Sequence, residues 1–119
     1  MKVRRGDVVL VNYLFSDRTG SKVRPCLVVQ NDENNRRLKN DTIVAAISSN
    51  VARALTEPTQ FLIRISTSDG AQSGLLFESA VQCGNIATID TQFVIRRIGL
   101  LPAAVMRQVD ECLKASLGL

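Results

Sequence analysis

Short apolar runs, separated by polar segments rich in turn-forming residues, constrain the fold of this chain most strongly. Residues 7–15 are almost continuously apolar, and residues 26–29 and 42–47 are shorter runs of the same kind. Strands that are buried on both faces have this pattern. Pro25 lacks an N–H group, which suits the start of a strand, so the second strand is predicted to run from about Arg24 to Gln30. The sequence therefore predicts a mainly β fold.

Weaker patterns fill the middle of the chain. Further strands are predicted at residues 61–65, 80–88 and 93–98. The polar segments 31–41 and 68–74 are predicted to be loops, and residues 48–58 to form a turn or two of helix that Pro58 ends.

The last nineteen residues change period. Apolar Val105, Val109 and Cys112 recur at spacings of four and three, which indicates an amphipathic helix. Pro102 suits its first turn and Gly118 its end. We therefore expect residues 1–119 to form one domain, a small, partly open antiparallel barrel of the α+β class with a C-terminal helix.

Composition narrows the function further. No run of about 18 apolar residues occurs, and the charged start lacks the apolar core of a signal peptide, so a cytoplasmic protein that does not enter the membrane is expected. Three widely spaced cysteines, with no histidine in the chain, support neither a zinc site nor a disulfide framework and predict buried thiols. The net charge of +4 is compatible with a polyanionic partner, although a solubilising surface explains it equally well.

Five blocks follow one another along the chain: RRGDVVLV at residues 4–11, GSKVRPCLVVQND at 20–32, TIVAAIS at 42–48, SAVQCGNIATID at 79–90 and VDECLKASLGL at 109–119. In this order and at this spacing they resemble the MazF/PemK toxin family. The resemblance implies an SH3-like barrel, a homodimer, cleavage of single-stranded RNA at a short sequence, and neutralisation by an antitoxin. The antitoxin is expected to be acidic and partly disordered.

The same resemblance implies the site residues. Arg24 matches the catalytic arginine of the family's Arg-Pro motif, and Ser48 stands where the family has its catalytic threonine. Substrate binding is expected from the loop before Arg24 and from polar residues beside the site. These are Phe15, Arg18, Thr19, Gly20, Ser21, Lys22, Ser49 and Asn85.

A chain without histidine needs another way to cut RNA. A guanidinium is a planar fork of donors that matches phosphate oxygens, but its pKa is too high for it to act as a base. A hydroxyl can donate to a phosphate oxygen or pass a proton along. Arg24 and Ser48 are therefore predicted to hold the scissile phosphate and stabilise its added charge, with no metal and no cofactor.

Alternatives in other classes stay open at this point. Arg24 would be a structural residue if it paired with Asp7 or Glu78, and Ser48 would be a strand-end turn residue. A gyrase poison of the related CcdB type, or a degenerate family member that binds RNA without cutting it, would need neither residue for catalysis.

Overall fold

The computed structural model describes residues 1–14 and 21–119. In this part of the chain six strands and three α-helices follow one another, with a short 3₁₀ turn before the last strand. In chain order they are β1 (Asp7–Leu14), β2 (Ser21–Val28), α1 (Asp32–Arg37), β3 (Asp41–Ser48), β4 (Gln60–Ile63), α2 (Ser68–Ser73), β5 (Ser79–Asp90), the 3₁₀ turn (Thr91–Phe93), β6 (Val94–Leu100) and α3 (Ala103–Leu117).

All six strands belong to one sheet with the order β4-β5-β3-β2-β1-β6, and each described pair is antiparallel. The edge strands β4 and β6 stand at opposite ends of this order, so the sheet is open. The predicted mainly β class and partly open antiparallel arrangement are confirmed. β2 begins three residues before Arg24, and Pro25 lies inside it, one residue before the pairing with β3 begins at Cys26.

Two apolar clusters fill the two faces of the sheet, because side chains alternate between faces along each strand. One cluster contains Val8, Leu27 and Val81 and packs against Val109 of α3. The other forms on the face away from α3. It consists of Val3, Val9, Val11, Cys26, Val28, Val44 and Val94. The prediction that β1 is buried on both faces is confirmed, since its residues enter both clusters.

The predicted C-terminal helix is α3. Its buried residues are Val105, Met106, Val109 and Cys112, which is the apolar stripe that the sequence predicts. Pro102 occupies the N-cap, and Gly118 ends the helix in the left-handed conformation with a φ of 74°. An ion pair between Arg5 and Asp110 ties the helix to the start of β1. None of the helices in the described residues is long and apolar enough to cross a membrane.

Two predicted loops are in fact short helices. Asn31 caps α1 by accepting from the Glu33 N–H, and acidic residues in its first turn and basic residues in its last turn suit the helix dipole. Thr67 caps α2 by accepting from the Gly70 N–H, and Gly74 ends it with a φ of 73°. The loop predictions for residues 31–41 and 68–74 were wrong because caps and packing, rather than an apolar stripe, stabilise these helices. Conversely, residues 52–56 form turns and not the predicted helix.

The three cysteines are free and buried, as predicted. Burial raises the pKa of the Cys83 thiol to about 12 and also raises that of Cys112. The Cys83 sulfur lies 3.9 Å from the Val109 carbonyl, so it packs under α3. These thiols therefore contribute to the core as small apolar groups.

Candidate active site

Arg24 and Ser48 lie two residues beyond the last pair of the two central strands, at the same end of the sheet. Cys26 pairs with Ala46, and Leu27 pairs with Ala45, so each step forward on β2 is a step back on β3. The pairing ends at Cys26 and Ala46, and extending its register by two residues on each strand would place Arg24 across from Ser48. Residues that face each other across an antiparallel pair project from the same face of the sheet. The two predicted catalytic residues thus share one end and one face of adjacent strands.

This face is the one away from α3. Alternation along β2 gives Arg24 the face of Cys26, and alternation along β3 gives Ser48 the face of Val44. Both Cys26 and Val44 belong to the apolar cluster that does not contact the helix. Arg24 is exposed and Ser48 is half-buried, so the candidate site lies where this second cluster meets solvent.

A backbone hydrogen bond orients the hydroxyl of Ser48. Its Oγ accepts from the Asn50 N–H at 3.0 Å, so Ser48 also forms the strand-end turn that is its alternative, structural role. The bond uses an acceptor site of the hydroxyl and leaves its O–H to donate elsewhere. It also stabilises negative charge on Oγ, which makes the hydroxyl a better proton donor. Ser48 can therefore hold the strand-end turn and still donate a hydrogen bond to a substrate.

A second cation lies beside the guanidinium. Lys22 and Arg24 are two residues apart on β2, so both project from the same face, roughly 7 Å apart along the strand. Both side chains are exposed. Two cations at this spacing suit two successive phosphates of a nucleic-acid backbone better than a single small anion, because those phosphates lie a similar distance apart.

The carboxylates considered as structural partners of Arg24 have other partners. Asp7 lies 3.4 Å from Arg97 in an ion pair. Glu78 accepts from the Ile65 N–H at 2.6 Å. Neither contact involves Arg24.

Asn85 lies beside a break in the pairing of β3 with β5. Ala45 pairs with Ile86 but Ala46 pairs with Gln82, so residues 83–85 bulge out of the ladder. Alternation from Ile86 gives Asn85 the face of Arg24 and Ser48, and its side chain is exposed. The bulge lies opposite Ala45 and Ala46, so Asn85 is one strand across from Ser48 and two to three residues away along β3. A base next to a bound phosphate would be within reach of it.

The other predicted substrate contacts lie at the same end of the sheet or outside the described residues. Ser49 is exposed and follows β3 directly, and Ser21 is the first residue of β2. Phe15, Arg18, Thr19 and Gly20 lie outside the described residues.

Known proteins are similar to this chain in both sequence and fold. Residues 4–117 match the family described as PemK-like, MazF-like toxin of type II toxin–antitoxin system. This chain belongs to that family. Endoribonuclease EndoA of Bacillus subtilis is 38% identical over 122 residues, which cover 100% of this chain and 97% of that protein. Endoribonuclease MazF9 of Mycobacterium tuberculosis is 34% identical, with 98% of each chain covered.

Solved structures of toxins in the family have the same fold. M. tuberculosis toxin MazF-mt6 matches with a TM-score of 0.73 at 25% identity, covering 95% of this chain and 97% of that one. A mycobacterial endoribonuclease in complex with its cognate antitoxin matches with a TM-score of 0.77 at 24% identity, covering 98% and 96%. The latter likeness concerns the fold alone. The predicted MazF/PemK resemblance is thus confirmed.

Sequence reasoning does not single out one polar residue that lies on the face of Ser48. Gln82 is half-buried on β5 and pairs with Ala46 of β3 and Gln60 of β4. It is two residues from Ala80, the partner of Ser48, and therefore shares the face of Ser48. Its position between buried Val81 and Cys83 was the available signal, because a lone polar residue in such a strand marks the more open face.

Proposed function

We propose that residues 1–119 act as a single MazF/PemK-like domain with metal-independent endoribonuclease activity, which cuts single-stranded RNA at a short sequence. The toxin half of a toxin–antitoxin pair is the corresponding cellular role. The observation that supports this proposal is the register of β2 and β3, since its extension by two residues brings the exposed guanidinium of Arg24 to the end of the sheet where the Ser48 hydroxyl is held by a hydrogen bond. Membership of the PemK/MazF-like family, with relatives named endoribonucleases, supports it.

In the proposed reaction the RNA supplies its own nucleophile. The 2′-oxygen bonds to the adjacent phosphorus, the bond from phosphorus to the 5′-oxygen breaks, and a proton is transferred from the first oxygen to the second. Arg24 binds the non-bridging oxygens and stabilises their added negative charge. Ser48 donates to the phosphate or relays the proton. Arg24 cannot accept that proton, so this mechanism favours selective over rapid cleavage.

Selection of the RNA is assigned to the groups around this pair. Lys22 binds the neighbouring phosphate, and Asn85 reads a base edge with its amide. Further contacts to the RNA are made at the end of the sheet. The residues assigned to them are Ser21, Ser49, Phe15, Arg18, Thr19 and Gly20. Phe15 stacks on a base.

Partners follow from the same surface. The protein acts in the cytoplasm as a homodimer. Its antitoxin is an acidic, partly disordered chain that folds onto the face of Lys22 and Arg24 and excludes RNA from it.

Incubation with total RNA in excess chelator tests the activity. We expect the wild-type protein to produce discrete fragments and Arg24→Ala to leave the RNA intact, because no metal supplies the charge stabilisation. Primer extension locates the cleaved positions. A supercoiling assay with DNA gyrase runs in parallel: intact RNA together with inhibited supercoiling would replace the nuclease with a gyrase poison.

A further inference from the structure

A second charged site lies at the far end of the sheet from Arg24. It is a groove of about 580 Å³, here called the N-terminal groove. Its lining consists of Met1, Lys2, Val3, Arg4, Asp32, Asn35, Arg36, Lys39 and Thr91.

Hydrogen bonds fix the walls of the N-terminal groove. The Arg5 N–H donates to Asp32 Oδ1 at 2.7 Å, which ties the N-terminal segment to α1. The Thr91 N–H donates to the Asn40 carbonyl at 2.8 Å, which ties the 3₁₀ turn to the loop after α1. Val3 is buried in the second apolar cluster and anchors the segment between Lys2 and Arg4. The groove is therefore formed before any ligand arrives.

Positive charge in the groove is poorly neutralised. Lys2, Arg4 and Lys39 are exposed, and none of them has an ion pair with a described residue. Arg36 is partly neutralised by Glu33 at 2.7 Å.

Asp32 is the one carboxylate among the described residues of the lining, and it already accepts hydrogen bonds. Asp32 Oδ1 accepts from the Arg5 N–H and from the Asn35 side-chain amide at 3.1 Å. Asn35 in turn accepts from the Thr42 hydroxyl at 2.8 Å, and Thr42 is fully buried. Asp32 is thus part of the floor, and the surplus charge of the groove is positive.

The distance between the N-terminal groove and the candidate active site indicates what the groove could bind. β3 runs from Asp41, two residues after Lys39, to Ser48, which is seven steps or roughly 24 Å. A stacked single strand advances about 3.4 Å per nucleotide, so about seven nucleotides span this distance.

We propose that the N-terminal groove binds a phosphate and its nucleotide in the RNA that flanks the cleaved sequence. This rests on the proposed ribonuclease function. Lys2, Arg4 and Lys39 bind the phosphate, while the exposed side chain of Met1 offers an apolar wall to the base. A nucleotide combines these two needs, whereas an acidic peptide would use the cations alone. The groove therefore adds affinity for long RNA without taking part in the chemistry.

Paired substrates test the groove. The cleaved position is first mapped on a long RNA, and two oligonucleotides are then made around it. One has five nucleotides and is too short to reach the groove; the other has twenty-one. We expect Lys2→Glu/Lys39→Glu to raise KM for the long RNA about tenfold or more, with kcat unchanged and with no effect on the short RNA.

A matched control separates the effect of the groove's own charges from the effect of the protein's net charge. Arg107→Glu/Lys114→Glu makes the same change in charge on the exposed side of α3 and is expected to leave both substrates unaffected. Lys2→Arg/Lys39→Arg is expected to retain the wild-type KM. Circular dichroism checks that each variant is folded. Equal losses on both substrates, or no loss on either, would overturn the proposal.

A binding assay keeps the groove testable apart from cleavage. The probe is a twenty-one-nucleotide oligo(dT) strand, which has no 2′-hydroxyl and therefore cannot be cleaved by the proposed reaction. Fluorescence anisotropy measures its binding constant at a series of salt concentrations. The loss of two phosphate contacts is expected to lower the salt slope, which is the slope of log binding constant against log salt concentration, by about 1.4 in magnitude. A wild-type protein that cuts no RNA refutes the ribonuclease function, whereas an unchanged salt slope in Lys2→Glu/Lys39→Glu refutes the groove. Binding of a polyglutamate peptide in preference to oligo(dT) would likewise refute it and point to an acidic protein.

Discussion

Replacing Arg24 with alanine is expected to lower kcat/KM for RNA cleavage by about 10²- to 10³-fold, with the protein still folded. This is the usual cost of removing one preorganised donor from a developing anion. Arg24 is exposed, so the loss of its side chain leaves no cavity in the core. Single-turnover cleavage of a mapped oligonucleotide measures the effect.

Two further variants show whether the fork of donors matters. Arg24→Lys keeps the charge but loses bidentate geometry, and we expect a loss of about tenfold or more. Arg96→Ala removes another exposed arginine from the sheet, in β6, and is expected to leave the rate unchanged. Full activity of Arg24→Ala would remove this residue from the mechanism.

Replacing Ser48 with alanine is expected to lower kcat by about 10- to 100-fold, since a hydrogen bond to a charged group contributes about 1.5–3 kcal/mol. Ser48→Thr keeps the hydroxyl and adds a methyl group that restricts its rotamers, so we expect nearly wild-type activity. The assay is single-turnover cleavage of the same oligonucleotide used for Arg24.

Stability must be separated from chemistry for this serine. Ser48→Ala also removes the acceptor of the Asn50 N–H, so thermal unfolding is measured alongside activity. Thr88→Ala, at an exposed position of β5, is the matched loss of a hydroxyl and should leave kcat unchanged. If Ser48→Ala cuts as fast as wild type, the serine is only a turn residue.

Local patterns predict part of this fold well. β1 is apolar on both faces because it lies inside the sheet, and α3 has a regular stripe because one of its faces covers a core. The helices α1 and α2 have no buried apolar stripe, so no hydrophobic period marks them. Their caps, Asn31 and Thr67, were present in the sequence but are equally typical of loops.

The site itself depends on information that single strands do not contain. Arg24 and Ser48 are 24 positions apart in the chain, and it is the pairing of β2 with β3 that brings them to the same end of the sheet. The family resemblance predicts the role of each residue, whereas the strand pairing indicates where the two lie relative to each other. The polar position of Gln82 between two apolar residues is visible in the sequence, but which residues of β3 it meets depends on the bulge at residues 83–85, which has no simple sequence signal.

A double-mutant cycle of Arg24→Ala and Ser48→Ala tests most directly whether the two residues act on the same phosphate. Groups that act as a unit give losses that do not add. We predict that the double variant cleaves RNA no more than a few-fold more slowly than Arg24→Ala alone. Losses that multiply in full would show that the guanidinium and the hydroxyl act independently, and would contradict this account.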